Sequence, residues 1–450
     1  MPPQHSLSLF FLAALGLSGC TAVAPTAARD ARRDVAARSG YSLPADTDWG
    51  RALAALLSRP LTADTAAALA LLNSRELAAD FEGIGIAQAD WIQAGVLRNP
   101  VLGLGLEIPT GPPSATRIQA SFMEGFLQVL TLPRRKRIAE QDYLAVRARV
   151  LQEAVALVAA VKEQVYELQA RAEEAARLSA ALELEKAALD LSIRQHEAGN
   201  IPDIDVARRR ADWAQMEIAD QAMAADQQQG LGRLGRLIGL WQSVPVLDPT
   251  LPEFPAVDPP ADLESAALAG RWDLAAARAD LEASRRTLGL AKDYALTGSL
   301  DVGAQFERDV TGQKSVGPAA EVTLPVFDQG GAQAARAAAA FRQAALRLEA
   351  AEARVRLEVR GALAQLGAAR RTEGTYRDEL LPAERDLVRL TSQRYNGMLV
   401  GAYELISAKQ GELAAERGEI RARRDCWAAL AELEKSAGGS LNLANPSLPR

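Results

Sequence analysis

The side chains able to perform nucleophilic or metal chemistry are few in this 450-residue chain. It contains two histidines, His5 and His196, and two cysteines, Cys20 and Cys426. No two of them stand at the i, i+4 or CxxC spacing with which proteins build metal or redox sites. Cys426 lies in the helical pattern RRDCWAALAEL, which favours a small buried apolar group. The sequence therefore predicts no metal site, no cofactor and no cysteine-based catalysis.

Three carboxylates begin predicted helices that follow tight turns. Asp203 and Asp205 come after the turn GNIP at 199–202, and Glu404 comes after the turn GMLVG at 397–401. A carboxylate in a first helical turn can cap backbone N–H groups and offsets the helix dipole. This interpretation is preferred for Asp203 and Asp205. For Glu404 a second role is equally consistent, because a carboxylate repeated by rotational symmetry forms a ring that attracts cations.

The composition excludes several classes of protein. Lys and Arg number 51 against 57 Asp and Glu, a net charge of −6, whereas nucleic-acid binding needs a basic surface. Hydrophobic residues at 48% and charged residues at 24% exclude wholesale disorder and a multi-span helical membrane protein. A lipid-anchored hydrolase ranks last among the alternatives, because the chain has neither a GxSxG elbow nor a histidine constellation. The protein is not expected to be an enzyme.

The N-terminus has the pattern of an export signal with a lipidation site. Residues 7–17 form an apolar run of eleven, which is too short for a stable membrane anchor but suits a signal-peptide core. The following Leu-Ser-Gly-Cys resembles the bacterial lipobox, in which the cysteine, here Cys20, carries palmitate and becomes the first mature residue. Thr21 then permits sorting to the outer membrane. The alternative is a simple secretory signal with an incidental cysteine.

The mature chain contains a duplicated half. Three segments recur in order at a nearly constant offset: 73–77 with 270–274, 128–137 with 320–329, and 194–210 with 393–409. The last pair sets Gly199 against Gly397, an offset of 198. The predicted organisation is a signal peptide at 1–19, a lipid-anchored linker at 20–60, a first repeat at 61–245, a Pro-rich linker at 246–260, a second repeat at 261–438 and a tail at 439–450.

Each half is expected to run helix, two strands, long helix, turn, helix. Strands are predicted at 100–108, 117–130, 297–307 and 315–325, mostly with apolar residues alternating with small or polar ones. Strands of about 9–11 residues can cross a bilayer in a barrel. The alternative, a soluble antiparallel sheet, is disfavoured because only long helices flank each hairpin and no third layer remains to cover its apolar face.

Long helices are predicted at 133–195 and 333–395, each of 63 positions or about 95 Å. Pro133 is expected to begin the first helix, and Pro382 to kink the second. Heptad seams, such as Leu151, Val158 and Val165 or Leu168, Ala175 and Leu182, predict side-by-side helix packing. Shorter helices are predicted at 74–98, 202–240, 271–293 and 401–436. In each half, the lengths of the two shorter helices add up to about the length of the long helix, so the two could stack end to end along it.

A basic run, Arg134-Arg135-Lys136-Arg137, follows the second strand near the expected boundary of membrane and periplasm. These side chains could contact lipid phosphates at that interface. They could equally form the solvated start of a helix. The sequence leaves both interpretations open.

Four lipid-facing strands cannot close a barrel by themselves. An open sheet edge in hydrocarbon leaves backbone groups without partners, and small membrane barrels begin at about eight strands. One chain must therefore associate with copies of itself, two for eight strands or more for a wider pore. The same symmetry would arrange the helices as a tube, which favours a conduit.

Five motifs occur in order along the mature chain: RNP at 98–100, TLP at 131–133, HEAGNIPDIDVARRRADWAQ at 196–215, TLP again at 323–325, and LLPAERDLVRLTSQRYNG at 380–397. With these motifs, nearly all of the mature chain resembles the TolC family of outer-membrane efflux proteins. The resemblance implies a mainly α fold with a membrane β-barrel: a homotrimer with twelve strands and a periplasmic helical tunnel about 100 Å long. It also implies residence in the Gram-negative outer membrane. The lipobox and LRNPVLGLGLE favour the lipoprotein subgroup attached to resistance-nodulation-division pumps.

The resemblance also implies roles for the two interhelical turns. In the family these turns contact a periplasmic adaptor, and the matching residues are Gly199, Asn200, Ile201, Gly397, Met398 and Leu399. Acidic residues just after the second turn line the closed aperture, and Glu404 occupies a matching position. Asp203 and Asp205 are the further aperture candidates. Ser407 stands where another family acid is often found, so a second acidic ring is not supported.

The expected function is passive export of drugs or metal cations, delivered by an inner-membrane pump and a periplasmic adaptor. Two alternatives stay open: a duct for type I protein secretion, and a periplasmic coiled-coil lipoprotein that tethers without a pore. A tether would be soluble once Cys20 is removed, whereas a barrel would still require detergent.

Overall fold

A computed structural model describes residues 30–35, 41, 49–108, 110–111, 116–241, 245–256, 258–294 and 299–441. Cys20 and the predicted signal peptide lie outside the described residues. Beyond a short helical segment at 30–35, the elements follow in order: α1 (Trp49–Leu57), α2 (Ala63–Asn73), α3 (Arg75–Ala94), β1 (Val101–Glu107), β2 (Arg117–Gly125), α4 (Phe126–Glu197), α5 (Asp203–Leu237), α6 (Leu263–Gly270), α7 (Trp272–Asp293), β3 (Leu300–Arg308), β4 (Lys314–Val322), α8 (Gly331–Thr375), α9 (Leu381–Asn396) and α10 (Ala402–Ala437).

The four strands form one antiparallel sheet in the order β1-β2-β3-β4. The two halves of the chain therefore join at the β2–β3 seam, where Ala120 lies opposite Phe306. All four predicted strands are present, but the prediction that β2 extends to residue 130 is wrong. Residues 126–130 are helical, because the apolar side chains of FLQVL recur at helical spacing and no longer alternate.

The first long helix, α4, has 72 residues and starts at Phe126, seven residues before the predicted start. Pro133 is consequently inside the helix, and its predicted position at the first helical residue is wrong. A proline there removes one backbone hydrogen bond. Two nearby side chains donate to carbonyls of this first stretch: Thr131 Oγ1 to Leu127 O at 2.9 Å and Arg135 Nη2 to Gln128 O at 3.3 Å.

The second long helix runs through α8 and α9 with a distortion before Pro382. Tyr376–Leu380 form a π-helical segment between the two, in keeping with the expected effect of the proline at the second residue of α9. The ring of Tyr376 packs against Gly418 in α10, where an added methyl group would lie 2.7 Å from the Tyr376 Oη. Gly418 thus leaves room for the Tyr376 ring at the wider π-helical turn.

The helices form a wall beneath the sheet. The helix α4 packs against α3 and α5, and also against α7 and α10, which in turn contact α8. The helix α9 packs on α10. This arrangement matches the prediction that two short helices lie along one long helix. It leaves α3 and α5 at one edge of the wall and α8 and α9 at the other.

The main core surrounds the middle of α4. Leu151, Val158, Val165 and Leu168 are buried there against α2 and α3, so the heptad prediction is confirmed over this stretch. It is wrong further along, where Leu182 is only half-buried. The buried positions there, Leu178, Ala181, Glu185, Ala188 and Ser192, still recur every seven residues but are offset by one residue from the predicted seam.

Candidate functional site: the sheet and the helical tips

One face of the sheet is apolar across all four strands. The pairing register places these side chains together: Leu102, Leu104, Leu106, Ile118, Ala120, Phe122, Val302, Ala304, Phe306, Val316, Pro318, Ala320 and Val322. Charged residues bound this face, with Glu124 at the end near the helices and Arg308 and Lys314 at the far end. Leu104 is 74% exposed and Val316 is 77% exposed. A continuous exposed apolar surface of this extent marks a contact with another protein or with lipid.

The opposite face carries small and polar side chains. Gly103, Gln119, Ser121 and Gln305 lie on it, with the ion pairs of Arg117 at the end of the sheet farthest from the helices. Arg117 Nε donates to Glu307 at 2.6 Å, and its Nη1 lies 3.4 Å from Glu107. An apolar face backed by a polar one is the arrangement of a strand wall between hydrocarbon and water.

Both the sheet and the helical wall end in open edges on the same two sides. The strands β1 and β4 each have one neighbour, and α3 and α5 at one helical edge correspond to α8 and α9 at the other. Both helical edges expose large aliphatic side chains: Ile86, Ile204 and Ile218 on the first, Leu346, Leu357, Leu387 and Leu390 on the second. Because the edge formed by β1, α3 and α5 differs from the edge formed by β4, α8 and α9, copies of the chain could associate head to tail, with the first edge of one copy against the second edge of the next.

The first interhelical turn, between α4 and α5, uses a left-handed glycine. Gly199 has φ 76°, and the N–H of Asn200 donates to Gln195 O at 2.8 Å, which is the bonding pattern of a Schellman cap. His196 Nδ1 lies 3.0 Å from Ile201 O, and its Nε2 lies 3.0 Å from Asp203.

The start of α5 differs from the prediction that Asp203 or Asp205 caps it through a side chain. That prediction is wrong, because Pro202 is the N-cap residue and makes no side-chain cap bond. Both acids do lie in the first turn of α5, where they complement its dipole.

The second turn, between α9 and α10, has the same bonds with a different residue at the left-handed position. Met398 has φ 58°, and the N–H of Leu399 donates to Arg394 O at 2.9 Å. The structural counterpart of Gly199 is therefore Met398, and the predicted pairing with Gly397, whose φ is −81°, is wrong by one residue. A left-handed backbone costs a non-glycine residue about 1–2 kcal/mol. Met398 is nonetheless retained there, 94% exposed, beside Leu399 at 73%.

Glu404 lies exposed in the first turn of α10. Its backbone N–H donates to Gly401 O at 3.2 Å, and no side-chain cap bond is made at the start of this helix. Its carboxylate is therefore placed to complement the helix dipole and to interact with groups outside the chain.

A polar network that the sequence did not reveal joins three helices near the tips. Tyr403 Oη donates to Gln195 Oε1 at 2.9 Å, and the guanidinium of Arg209 lies 4.9 Å from the centre of the Tyr403 ring. Arg209 Nη1 also lies 3.4 Å from Glu185, which is 1% exposed and accepts a bond from Gln410. The network holds α4, α5 and α10 together just above the turns.

Cys426 is fully buried, as expected from its helical pattern. Burial, with a further contribution from Glu373, raises the pKa of its thiol to about 12, so it is protonated at neutral pH.

In the described ranges, no group of three His, Cys, Asp or Glu residues is placed to hold a metal ion. Nor does any helix within them combine the length and hydropathy that crossing a membrane requires.

Comparisons with known proteins agree with this architecture. Residues 263–439 match the model of the family described as outer membrane efflux protein. The fold resembles that of CusC, whose structures concern transmembrane channel formation, with TM-score 0.71 and 16% identity over 84% of this chain and 92% of CusC. The outer-membrane channel OprN gives 0.71 and 18% over 90% and 96%, and the open-state MtrE channel of Neisseria gonorrhoeae gives 0.67 and 18% over 86% and 89%. No protein of curated function matches.

Proposed function

We propose that this chain, whose residues 263–439 match the family model described as outer membrane efflux protein, is the outer-membrane duct of a tripartite efflux system. It would conduct drugs or metal cations passively from an inner-membrane pump and a periplasmic adaptor to the exterior. The observation that carries this proposal is the four-stranded sheet, with one face apolar between charged residues at its two ends, the other face polar, and an open edge on each side.

A homotrimer is the assembly we propose. Open edges cannot persist in hydrocarbon, and β1 of one copy can pair with β4 of the next, as α3 and α5 can pack on the α8 and α9 of that neighbour. The aliphatic side chains exposed on both helical edges support this contact. Three copies give twelve strands, the number implied by the family resemblance.

Lipidation of Cys20 is consistent with the position of the first described segment. Ala31 and Val35 are buried in the main core, and Asp34 pairs with Arg147 on α4. Arg147 lies about 32 Å along the helix from Phe126 at the base of the sheet. The ten residues from Cys20 to Asp30 can span at most about 36 Å, so a lipid on Cys20 could reach the membrane.

We further propose that the tips dock the adaptor through apolar side chains, Ile201 on the first tip and Met398 and Leu399 on the second, with Gly199, Asn200 and Gly397 shaping the turns. The left-handed backbone of Met398 supports this role, because a glycine would fit the turn better and strained residues cluster at functional sites.

Met398→Gly should therefore separate turn stability from docking. We expect the variant to unfold at an equal or higher temperature, because the left-handed backbone of residue 398 is relieved. Its affinity for the adaptor should fall about ten- to a hundredfold, since an exposed side chain that becomes buried in a pocket contributes about 1.5–3 kcal/mol. Surface plasmon resonance against the adaptor measures this, with Met216→Gly on α5 as a control away from the tip. Unchanged affinity would remove Met398 from the docking surface.

Glu404, which follows the second tip, is the residue we propose for the channel aperture. Asp203 and Asp205 follow the first tip and are the further candidates, and Asp203 is paired with His196. Three Glu404 carboxylates around the axis would attract cations. Glu404→Ala in planar bilayers should lower the cation-over-anion permeability ratio about two- to fivefold, whereas Asp203→Ala should change it less. The same selectivity and conductance in wild type and Glu404→Ala would exclude Glu404 from the aperture.

The function itself is tested by co-purification and by a deletion strain. The membrane-extracted protein should co-purify with an adaptor and a pump, and the deletion strain should become sensitive to the exported compounds. Testing metal salts and hydrophobic drugs separately would assign the cargo. Retained resistance combined with a missing secreted protein would instead favour the type I secretion duct.

A further inference from the structure

A basic cleft lies between the start of α4 and the end of α7, below the sheet. It has a volume of about 410 Å³ and is lined by Arg134 and Arg137 of α4 and by Arg285 and Arg286 of α7, together with Glu140, Gly289 and Leu290. The basic run singled out in the sequence therefore forms only half of this site. The arginines of α7 come from the second repeat and complete it.

Hydrogen bonds hold these arginines in place. Arg286 Nη1 donates to Arg137 O at 2.7 Å, which ties α7 to α4. Glu282 accepts from both Arg285, at 2.7 Å, and Arg286, at 2.8 Å. Arg134 pairs with Asp293 and lies 5.6 Å from the ring of Tyr294. The guanidinium groups of Arg134, Arg285 and Arg286 are thus positioned without a bound ligand.

The cleft carries more arginines than carboxylates in a protein of net charge −6. Its lining contains four arginines and Glu140, while Asp293 pairs with Arg134 and Glu282 pairs with Arg285 and Arg286. One positive charge therefore remains after each of these three carboxylates is counted against one arginine. An anion is the ligand that such a surplus attracts.

The cleft also lies at a defined depth. Exposed apolar side chains continue from the sheet into the start of α4 through Phe126 and Val129 to Leu130, which is 50% exposed. Arg134 follows one helical turn later, about 12 Å below Phe126. Beneath β4, Leu324, Val326 and Phe327 are exposed in the same way. A change from apolar to cationic surface within one turn is typical of the membrane–water interface.

We propose that this cleft binds the phosphate of an anionic phospholipid of the periplasmic leaflet. The inference rests on the proposed function, because it requires the sheet to lie in the membrane. Guanidinium groups recognise phosphate oxygens with paired N–H donors, and a lipid held by both α4 and α7 would link the two repeats at the base of the barrel. Free phosphate has the same chemistry but no acyl chains to contact the apolar surface above.

The test uses the full-length protein in detergent, titrated with dioleoylphosphatidylglycerol, with dioleoylphosphatidylcholine and with inorganic phosphate, and followed by native mass spectrometry. We expect phosphatidylglycerol to bind at least about tenfold more tightly than phosphatidylcholine. Arg137→Gln/Arg285→Gln, which leaves Arg286 paired with Glu282, should abolish this preference. The control Arg208→Gln/Arg210→Gln removes two exposed arginines of α5 near the tip and should retain it.

Equal binding of the two lipids by wild type, or the same preference in the cleft variant, would overturn the proposal. Inorganic phosphate bound as tightly as phosphatidylglycerol would overturn the assignment to a lipid. Conductance of the variants in planar bilayers is measured in parallel. Channels that conduct but show no lipid preference refute this site alone, whereas a chain that forms no channel refutes the proposed function.

Discussion

Gly303→Ala should prevent assembly of the channel. Gly303 lies opposite Met123 across the β2–β3 seam, and an alanine methyl group there would overlap the backbone carbonyl oxygen of Phe122 and lie 2.8 Å from Met123 Sδ. A backbone oxygen cannot move aside without breaking the strand pairing that joins the two repeats. Overpacking costs about 1–3 kcal/mol in one chain, hence about 3–9 kcal/mol in a trimer.

The matched control is Gly317→Ala on β4. Gly317 lies on the same polar face, and a methyl group added there would meet nothing within 4 Å. Oligomer in the membrane fraction, measured by native gel and size-exclusion chromatography, should fall more than tenfold for Gly303→Ala and stay near wild type for Gly317→Ala. Equal yields of the two variants would show that the β2–β3 register is wrong.

Leu104→Arg should abolish insertion into the membrane. Leu104 is at the centre of β1 on the apolar face, where an arginine at the bilayer midplane costs about 2–4 kcal/mol. Three copies bring the cost to about 6–12 kcal/mol, which is comparable with the whole free energy of unfolding of a typical protein, about 5–15 kcal/mol. Recovery of folded oligomer from outer membranes should fall by at least tenfold.

Gln119→Arg is the control on the neighbouring strand. Gln119 lies opposite Gly105 and points to the polar face, so its arginine would enter water inside the barrel. We expect normal assembly and a lower cation preference of the channel. If Gln119→Arg failed to insert while Leu104→Arg inserted normally, the two faces of the sheet would have to be exchanged.

The sequence predicted the architecture because its patterns are local and duplicated. Period-two alternation at Leu102, Leu104 and Leu106 locates β1 and its apolar face without any tertiary information. The repeated order of segments then predicts the second hairpin and the second long helix. The boundary of β2 was missed because FLQVL continues the apolar character of the strand, while its spacing has already changed from alternation to the helical period.

The details of the tips could not be obtained from the sequence. A glycine at 397 suggested the left-handed position of the second turn, but the helix ends one residue later and Met398 adopts that backbone. The contacts of Glu185 with Arg209 and Gln410 join residues up to 225 positions apart. Such long-range pairs have no local signature in one sequence. The basic run contains only Arg134 and Arg137 of the arginine cleft. Arg285 and Arg286 of α7 join them through the packing of α7 on α4, which the sequence did not predict.

The central claim is that the apolar face of the sheet meets lipid and that only self-association seals its edges. The most direct test measures the detergent requirement, the oligomeric mass and the channel activity of the Cys20→Ala protein. This protein is secreted through a cleavable signal, so that no lipid is attached. We predict that it still requires detergent, has the mass of a trimer by light scattering and opens conducting channels in planar bilayers. A water-soluble monomer without channel activity would contradict the account and favour a periplasmic tether.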